Sequence, residues 1–344
     1  MRVLFTGADG YIGALLGTYL LSEGHDAVGL DTGYYREGWL YPMNGARPQV
    51  ITKDIRDITA EDLQGFDAIA HLAELSNDPL GQQNPGLTHR INHEGSVRLA
   101  NLARSAGVKR FVYMSSCSVY GVGAPDQVLD ETSEVNPQTA YAECKVKVEH
   151  DLTAMNDADF VTCFMRNATA YGASPRQRFD IVLNDLCGLA WTTKQIKLLS
   201  DGTPWRPLVH ALDMCQAINC ALSADADKIG GQAMNVGSTA QNYRVIEIAQ
   251  IVADVFPDCE LIVGEPSQDN RSYRVNFDKI QRLMPDFECK WTAKDGAEQM
   301  LRMFQAINMT PEVFQAPPYT RLKMLLQHKD RGLLNEDLFW TFKD

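Results

Sequence analysis

The sequence predicts an α/β protein: a doubly wound parallel sheet followed by a smaller mixed α/β region. Three observations carry this. The chain opens MRVLFTGADGYIG, an apolar strand that runs straight into a glycine-punctuated turn and a helix. Short apolar strands then alternate with helical patterns to about residue 170, as parallel βαβ units do. A serine-rich stretch, Ser115 to Gly121, falls at the C-terminal end of one such strand, the end where open parallel sheets bind ligands.

In chain order, Val3, Leu4 and Phe5 supply the first strand. Gly7, Gly10 and Gly13 then permit a tight turn, a close backbone approach to a phosphate, and close packing of helix on sheet. Ile12, Leu15, Leu16, Tyr19 and Leu20 recur at helical spacing, so the positive helix end points at the turn, where a diphosphate fits. Ala27 to Leu30 form a second strand ending at Asp31, a carboxylate placed for both hydroxyls of an adenosine ribose. It repels a 2′-phosphate and so favours NAD over NADP, a preference that Arg36 nearby softens. Residues 34–48 are aromatic and glycine-rich without periodicity, a loop over the bound cofactor.

Val50 and Ile51 restart a strand. Beyond it Asp54 either accepts from an adenine amine, with Ile55 against the ring, or caps a helix starting near Thr59. Ala68 to Leu72 form the next strand, running into His71-Leu72-Ala73-Glu74-Leu75-Ser76, where small residues let a cofactor pass close over the strand end, with Ser76 toward the substrate. Glu74 is unexpected in so crowded a place. A helix runs from Asn92 to Gly107, a strand from Arg110 to Met114, a helix from Gln138, and a strand from Phe160 to Met165. Thereafter the alternation breaks. A proline-led loop carrying Arg178 and ending near Asn184 precedes a helix over 185–195, an edge-like strand follows Gly202, and 213–222 and 244–255 read as helices. The expected division is a cofactor domain over 1–174, with later segments threading back, a mainly substrate-binding domain over 175–316, and a helical extension over 317–344 packed on a partner subunit.

Tyr141 and Lys145 stand at i, i+4 on one helix and so share a face. A phenol loses its proton near pH 10. A neighbouring ammonium and a positive nicotinamide lower that value, which makes Tyr141 a usable acid or base for a sugar or alcohol hydroxyl. Ser116 donates to the same reacting oxygen, and Lys145 also holds the nicotinamide ribose.

Composition bounds the partners. With 45% hydrophobic and 22% charged residues the chain is an ordinary globular protein, and its net charge of −12 argues against a nucleic-acid surface. No apolar run is long enough to span a bilayer, and no metal site is expected. Eight cysteines without a CxxC pair, and no secretory leader, suggest reduced thiols in a cytoplasm.

TGADGYIG, SSCSVYG and YAECK, in that order, resemble the extended short-chain dehydrogenase/reductase family, the nucleotide-sugar epimerases and dehydratases, over nearly the whole chain. The resemblance implies a Rossmann domain, a tightly held NAD, and a homodimer through the helices near 92–106 and 138–153. It also implies that Tyr141 is the base. It assigns cofactor contacts to Thr6 through Gly13, including Tyr11 and Ile12, and to Asp31, Asp54, Ile55, Leu72, Ala73, Asn92, Tyr141 and Lys145. On the substrate side it implies Arg206 and either Arg271 or Arg274 at the sugar's diphosphate; Ser76, Ser118 and Asn184 are further candidates around the substrate, and the loop carrying Arg178, without a simple counterpart in the best-known 4-epimerases, is a candidate selector of the sugar or nucleotide. Thr169 departs from the asparagine common at its position.

The related dehydratases carry an Asp-Glu pair where this chain has Cys117 and Ser118, which argues against 4,6-dehydration. Cys117 is either a small buried hydrophobe or, as in epimerases acting next to a keto group, an acid–base thiol. The leading expectation is an NAD-dependent epimerase acting at C4 of a nucleotide-activated sugar through a transient 4-keto intermediate. The alternatives are a 4-ketoreductase or C3/C5 epimerase of a keto sugar, and a redox-sensing dinucleotide-binding protein that has lost catalysis.

Overall fold

Val3, Leu4 and Phe5, Ala27 to Leu30, and Ala68 to Ala70 are all buried, so these strands are covered on both faces. They form the middle of a seven-stranded sheet. In a computed structural model that describes residues 1–76, 81, 84–124, 126–265 and 271–342, its strand order is Gln232–Val236, Val161–Asn167, Arg110–Tyr113, Ala68–His71, Arg2–Thr6, Asp26–Asp31, Gln49–Thr52. Every neighbouring pair is parallel. The strand order reverses between Arg2–Thr6 and Ala68–His71, and a crevice opens at that switch point.

The alternation of side chains along the first strand decides which helices cover which face. Val3 and Phe5 pack with Leu15, Leu16 and Leu20 of helix Gly13–Ser22 and with Ile218 and Leu222 of helix Ala211–Ser223. Leu4 points the other way, onto Leu99 and Ala103 of helix Ser96–Ser105 and Val148 and Leu152 of helix Ala140–Thr153. Each such fully buried leucine contributes about 1.5–3 kcal/mol.

Several expectations shift. The helix expected from Asn92 begins earlier, at Pro85, where Asn84 caps it, and widens to a π turn over His89–Gly95 before Ser96. The helix expected near Thr59 is a single 3₁₀ turn, Glu61–Leu63. The strand after Gly202, Trp205–His210, is central in a three-stranded sheet rather than an edge. Its Trp205–Pro207 half pairs with Asn242–Arg244 and its Leu208–His210 half with Thr169–Tyr171, so each half is paired on one side and the proline is accommodated.

Residues beyond 174 build a second core, in which Phe179, Leu183, Leu186, Ile248, Val252, Met300 and Phe304 meet, while Gln232–Val236 returns to complete the large sheet. Helix Ala293–Ala306, absent from the expectation, starts at a Thr292/Asp295 capping box.

The C-terminal segment packs on its own chain. Pro317–Tyr319 turns into helix Arg321–Asp330, and a bridge joins Leu334 to Trp340. Leu325, Leu334 and Leu338 join Tyr34, Leu75, Leu87 and Ile91 in one apolar cluster beside the crevice. His328 Nε2 lies 2.8 Å from the Tyr34 carbonyl, and Trp340 Nε1 donates to the Thr32 carbonyl at 2.7 Å.

Candidate active site

The glycine turn follows the first strand directly. Gly7 takes a left-handed φ of +77°, and its N–H donates to the Leu30 carbonyl at 2.8 Å, which fixes the turn beside the second strand. At Gly13 a Cβ would stand 2.0 Å from the Gly7 carbonyl, so only glycine lets the helix start this close. Asp31 ends the second strand and accepts from the N–H groups of Asp9 at 3.0 Å and Gly33 at 2.7 Å. Burial, then the neighbouring Asp9, pushes its carboxyl up to about 6.

A chain of polar contacts that the sequence did not reveal sets the next strand end. Thr6 Oγ1 accepts from the N–H groups of Leu72 at 3.1 Å and Ala73 at 3.0 Å, so its own proton goes to His71 Nδ1 at 2.7 Å. His71 is therefore the Nε2–H tautomer, donating to Ser96 Oγ at 2.8 Å, which donates to the Asn92 carbonyl at 2.6 Å. Burial and then the Lys145 charge lower this imidazole to about 3, so it stays neutral. The Asn92 amide clamps Leu75 through both its N–H at 2.8 Å and its carbonyl at 3.0 Å. Asn92 is thus fully buried behind the cavity wall and does not line it, where the family resemblance implied a cofactor contact.

Tyr141 and Lys145 lie on helix Ala140–Thr153, with Lys145 Nζ 5.2 Å from the Tyr141 ring centroid. Glu74 sits opposite: its Oε2 is 2.6 Å from Lys145 Nζ, and its Oε1 accepts from Tyr113 Oη at 2.6 Å. The two side chains are 4% and 2% exposed, so this is a buried pair. Lys145 also donates to the Met114 carbonyl. Burial opposes the lysine charge, but the Glu74 carboxylate and then the Tyr141 phenol together offset it and hold the ammonium above its usual range.

Ser116 is extended and caps the 3₁₀ turn Cys117–Tyr120 by accepting from the Ser118 N–H at 3.1 Å. Ser116 and Ser118 line the cavity and Cys117 does not. Its thiol is turned into the core, donates to the Arg166 carbonyl at 3.1 Å, and is pushed well above its usual range by burial. The acid–base alternative for Cys117 therefore has no geometric support, because neither the cavity nor a nearby cation that outweighs burial reaches the sulfur.

On the substrate side Thr169, Ser76, Arg178, Arg206 and Arg271 line the same cavity. Arg178 is held by Asp180 at 2.8 Å and donates to Ser76 Oγ at 3.2 Å. Burial opposes the Asp180 charge, but Arg178 and then Arg321 together outweigh it and bring this carboxyl down to about 2. Arg206 donates to the carbonyls of Trp205 and Arg271. Two expected contacts lie elsewhere. Asn184 is wholly buried, its Oδ1 accepting from Gly172 N–H at 3.0 Å and its amide donating to the Arg178 carbonyl at 3.0 Å, so it shapes the loop from behind. Arg274 stacks 5.2 Å from the Trp205 ring, off the cavity, whereas Arg271 lines it.

All of this surrounds one cavity of about 630 Å³, which also takes in Gly7, Gly10, Tyr11, Ile12, Gly13, Asp31, Asp54, Ile55, Leu72 and Ala73. Asp54 is there, but Arg56 holds its carboxylate at 2.7 and 2.9 Å. Lining residues that the sequence reading missed include Lys53, Tyr273 and, from the C-terminal segment, Arg321. Nothing local in the sequence marks Arg321. A dinucleotide fits these residues: the glycine turn leaves room for a diphosphate against backbone, the Asp31 carboxyl lines the cavity at the end of the second strand, and the buried Arg321 guanidinium presents two nitrogens that no described residue satisfies.

Comparison with known proteins agrees with that fit. A model of the NAD dependent epimerase/dehydratase family matches residues 3–237. A UDP-glucose 4-epimerase of Mycolicibacterium smegmatis is 33% identical over 254 residues, which covers 69% of this chain and 77% of that one. Among solved structures, MoeE5 in complex with UDP-glucose and NAD superposes with a TM-score of 0.76 at 25% identity, over 90% of this chain and 100% of its own. The dTDP-glucose 4,6-dehydratase DesIV from Streptomyces venezuelae, with NAD bound, gives a TM-score of 0.77 at 23% identity, over 92% and 100%, a likeness of fold.

Proposed function

Because this chain belongs to the NAD dependent epimerase/dehydratase family, we propose that it epimerises a nucleotide-diphosphate sugar at C4. The observation that carries the reading is the cavity wall beside Tyr141. It offers Tyr141, Lys145 and Ser116 together, while the next two positions hold a thiol turned into the core and a serine instead of carboxylates. Glu74, the carboxylate beside Lys145, is engaged by Lys145 and Tyr113 and is not free to act on a sugar.

Bound NAD supplies the acceptor and donor of one hydride at C4. Tyr141 takes the proton from the 4-hydroxyl as the 4-keto sugar forms and returns it afterwards, and Ser116 Oγ donates to that oxygen. Lys145, kept cationic by Glu74, favours the phenolate. Arg206 and Arg271 grip the diphosphate as guanidinium forks while the sugar turns over between the two hydride transfers. Ser76, Ser118, Thr169 and Arg178 face the sugar.

The same reading includes a cofactor lobe over 1–174, a substrate lobe over 175–316 and the extension from 317, with a homodimer through the outer faces of helices Ser96–Ser105 and Ala140–Thr153. The eight free cysteines fit a reducing cytoplasm. Among the described residues no helix is long and apolar enough to cross a membrane.

The test is to denature purified protein, assay the released dinucleotide, and offer native protein a panel of nucleotide sugars in heavy water without added cofactor. The expected result is bound NAD, inversion at C4, and no deuterium taken up. A requirement for stoichiometric reduced cofactor, or deuterium at C3 or C5, defeats the reading. Cys117→Ala should keep turnover within about threefold and cost on the order of 1 kcal/mol of stability, checked by steady-state kinetics and thermal melting.

A further inference from the structure

We propose that Arg321, carried by the C-terminal segment, is a ligand of the dinucleotide's diphosphate, so that this segment completes the cofactor site. The inference rests on the NAD reading above. Arg321 is 4% exposed and lies 4.1 Å from the Tyr35 ring centroid. Its Nη1 and Nη2 have no hydrogen-bond partner among the described residues, yet the side chain lines the cavity with Gly7, Gly10 and Ile12. An arginine cannot shed its proton, so a buried guanidinium with two unpaired nitrogens is a cost that an entering anion relieves.

The charges around it fix which anion. Arg321 lies within electrostatic reach of both Asp31, placed for the ribose, and the pair Arg178–Asp180 on the substrate side, and among the described residues neither carboxylate side chain forms an ion pair with it. Its own backbone N–H donates to Asp180 Oδ2 at 3.3 Å, which anchors the helix start. A second buried guanidinium, Arg176, lies 3.7 Å from Asp9 inside the glycine turn. The stretch of cavity between a ribose carboxylate and the substrate end, next to the glycine turn, is where a dinucleotide carries its two phosphates. The planar fork of arginine matches their oxygens.

The segment is also tied to the residues that follow Asp31. Besides the contacts of His328 and Trp340, Asp337 pairs with Arg90 at 2.6 Å, and Arg56, which holds Asp54, lies 3.7 Å from the Phe339 ring centroid. Arg321 is thereby positioned by the same contacts that close the adenosine end.

The test compares wild type, Arg321→Gln and Arg321→Lys. Measured first is NAD retained by wild type through gel filtration; wild type that binds no dinucleotide overturns the cofactor reading itself. With that reading intact, cofactor-stripped proteins are titrated with NAD, NADP, ADP and adenosine. The expected result for Arg321→Gln is a Kd about ten- to a hundredfold higher for NAD and ADP, with adenosine unchanged. Arg321→Lys should fall between, and cofactor-free Arg321→Gln should melt no lower than wild type while gaining less from NAD. Unchanged NAD and ADP binding overturns the proposal, as does equal loss of adenosine, which would make Arg321 structural. Loss confined to NADP overturns it in favour of a 2′-phosphate contact.

Discussion

Tyr141→Phe is expected to lower kcat by about 10²–10⁴-fold while NAD stays bound and the melting temperature holds. The substitution removes one oxygen from a half-buried ring, and the apolar contacts of Val148 and Leu152 that fix its helix remain. The loss therefore falls on proton transfer. A residue of structural importance alone would show the reverse, a lower melting temperature with near-normal turnover of the folded fraction. Kinetics on the NAD-loaded variant, with its melting curve, separate the two, and a kcat within about threefold of wild type removes Tyr141 from the mechanism.

Lys145→Met is expected to cost both activity and about 3–5 kcal/mol of stability, because it strands the buried Glu74 carboxylate without its counter-charge. Glu74→Gln in the same chain should restore most of that stability, since an amide fills the site without an unpaired charge. It should not restore turnover, because no cation then stands beside Tyr141. Denaturant unfolding of the two single variants and the double variant measures the coupling. Independent, additive costs at the two positions would show that the pair does not act as a unit.

Much of this was legible in the sequence where local pattern decides structure. The strands at Val3–Phe5 and Ala27–Leu30 are apolar on both faces, and the glycine turn needs residues without a side chain, so both stand out in a linear reading. The Tyr141 and Lys145 spacing is likewise a property of one helix. What escaped depends on distant partners. Glu74 looked out of place because nothing near it in sequence shows that Lys145 and Tyr113 meet it. The Thr6–His71–Ser96 chain joins three elements of the fold. The strand after Gly202 was read as edge-like, but it is central in its small sheet, changing partners at Pro207. Asn92 and Asn184 were placed in the site by pattern, but their amides face backbone behind it. The C-terminal segment has no motif, and only its docking on Tyr34 and Thr32 brings Arg321 into the cavity. Helix Ala293–Ala306 was missed although its Thr-x-x-Asp start is a readable signal.

The central claim is a closed hydride cycle at C4. The most direct measurement supplies UDP-glucose, the substrate named for the similar Mycolicibacterium smegmatis epimerase, deuterated at C4, to protein carrying only its own cofactor, and follows the label by proton NMR and mass spectrometry. Inversion at C4 with the deuterium kept on that carbon is the expected result. Inversion with the label lost to solvent, or protons exchanged at C3 or C5 with C4 untouched, would contradict it.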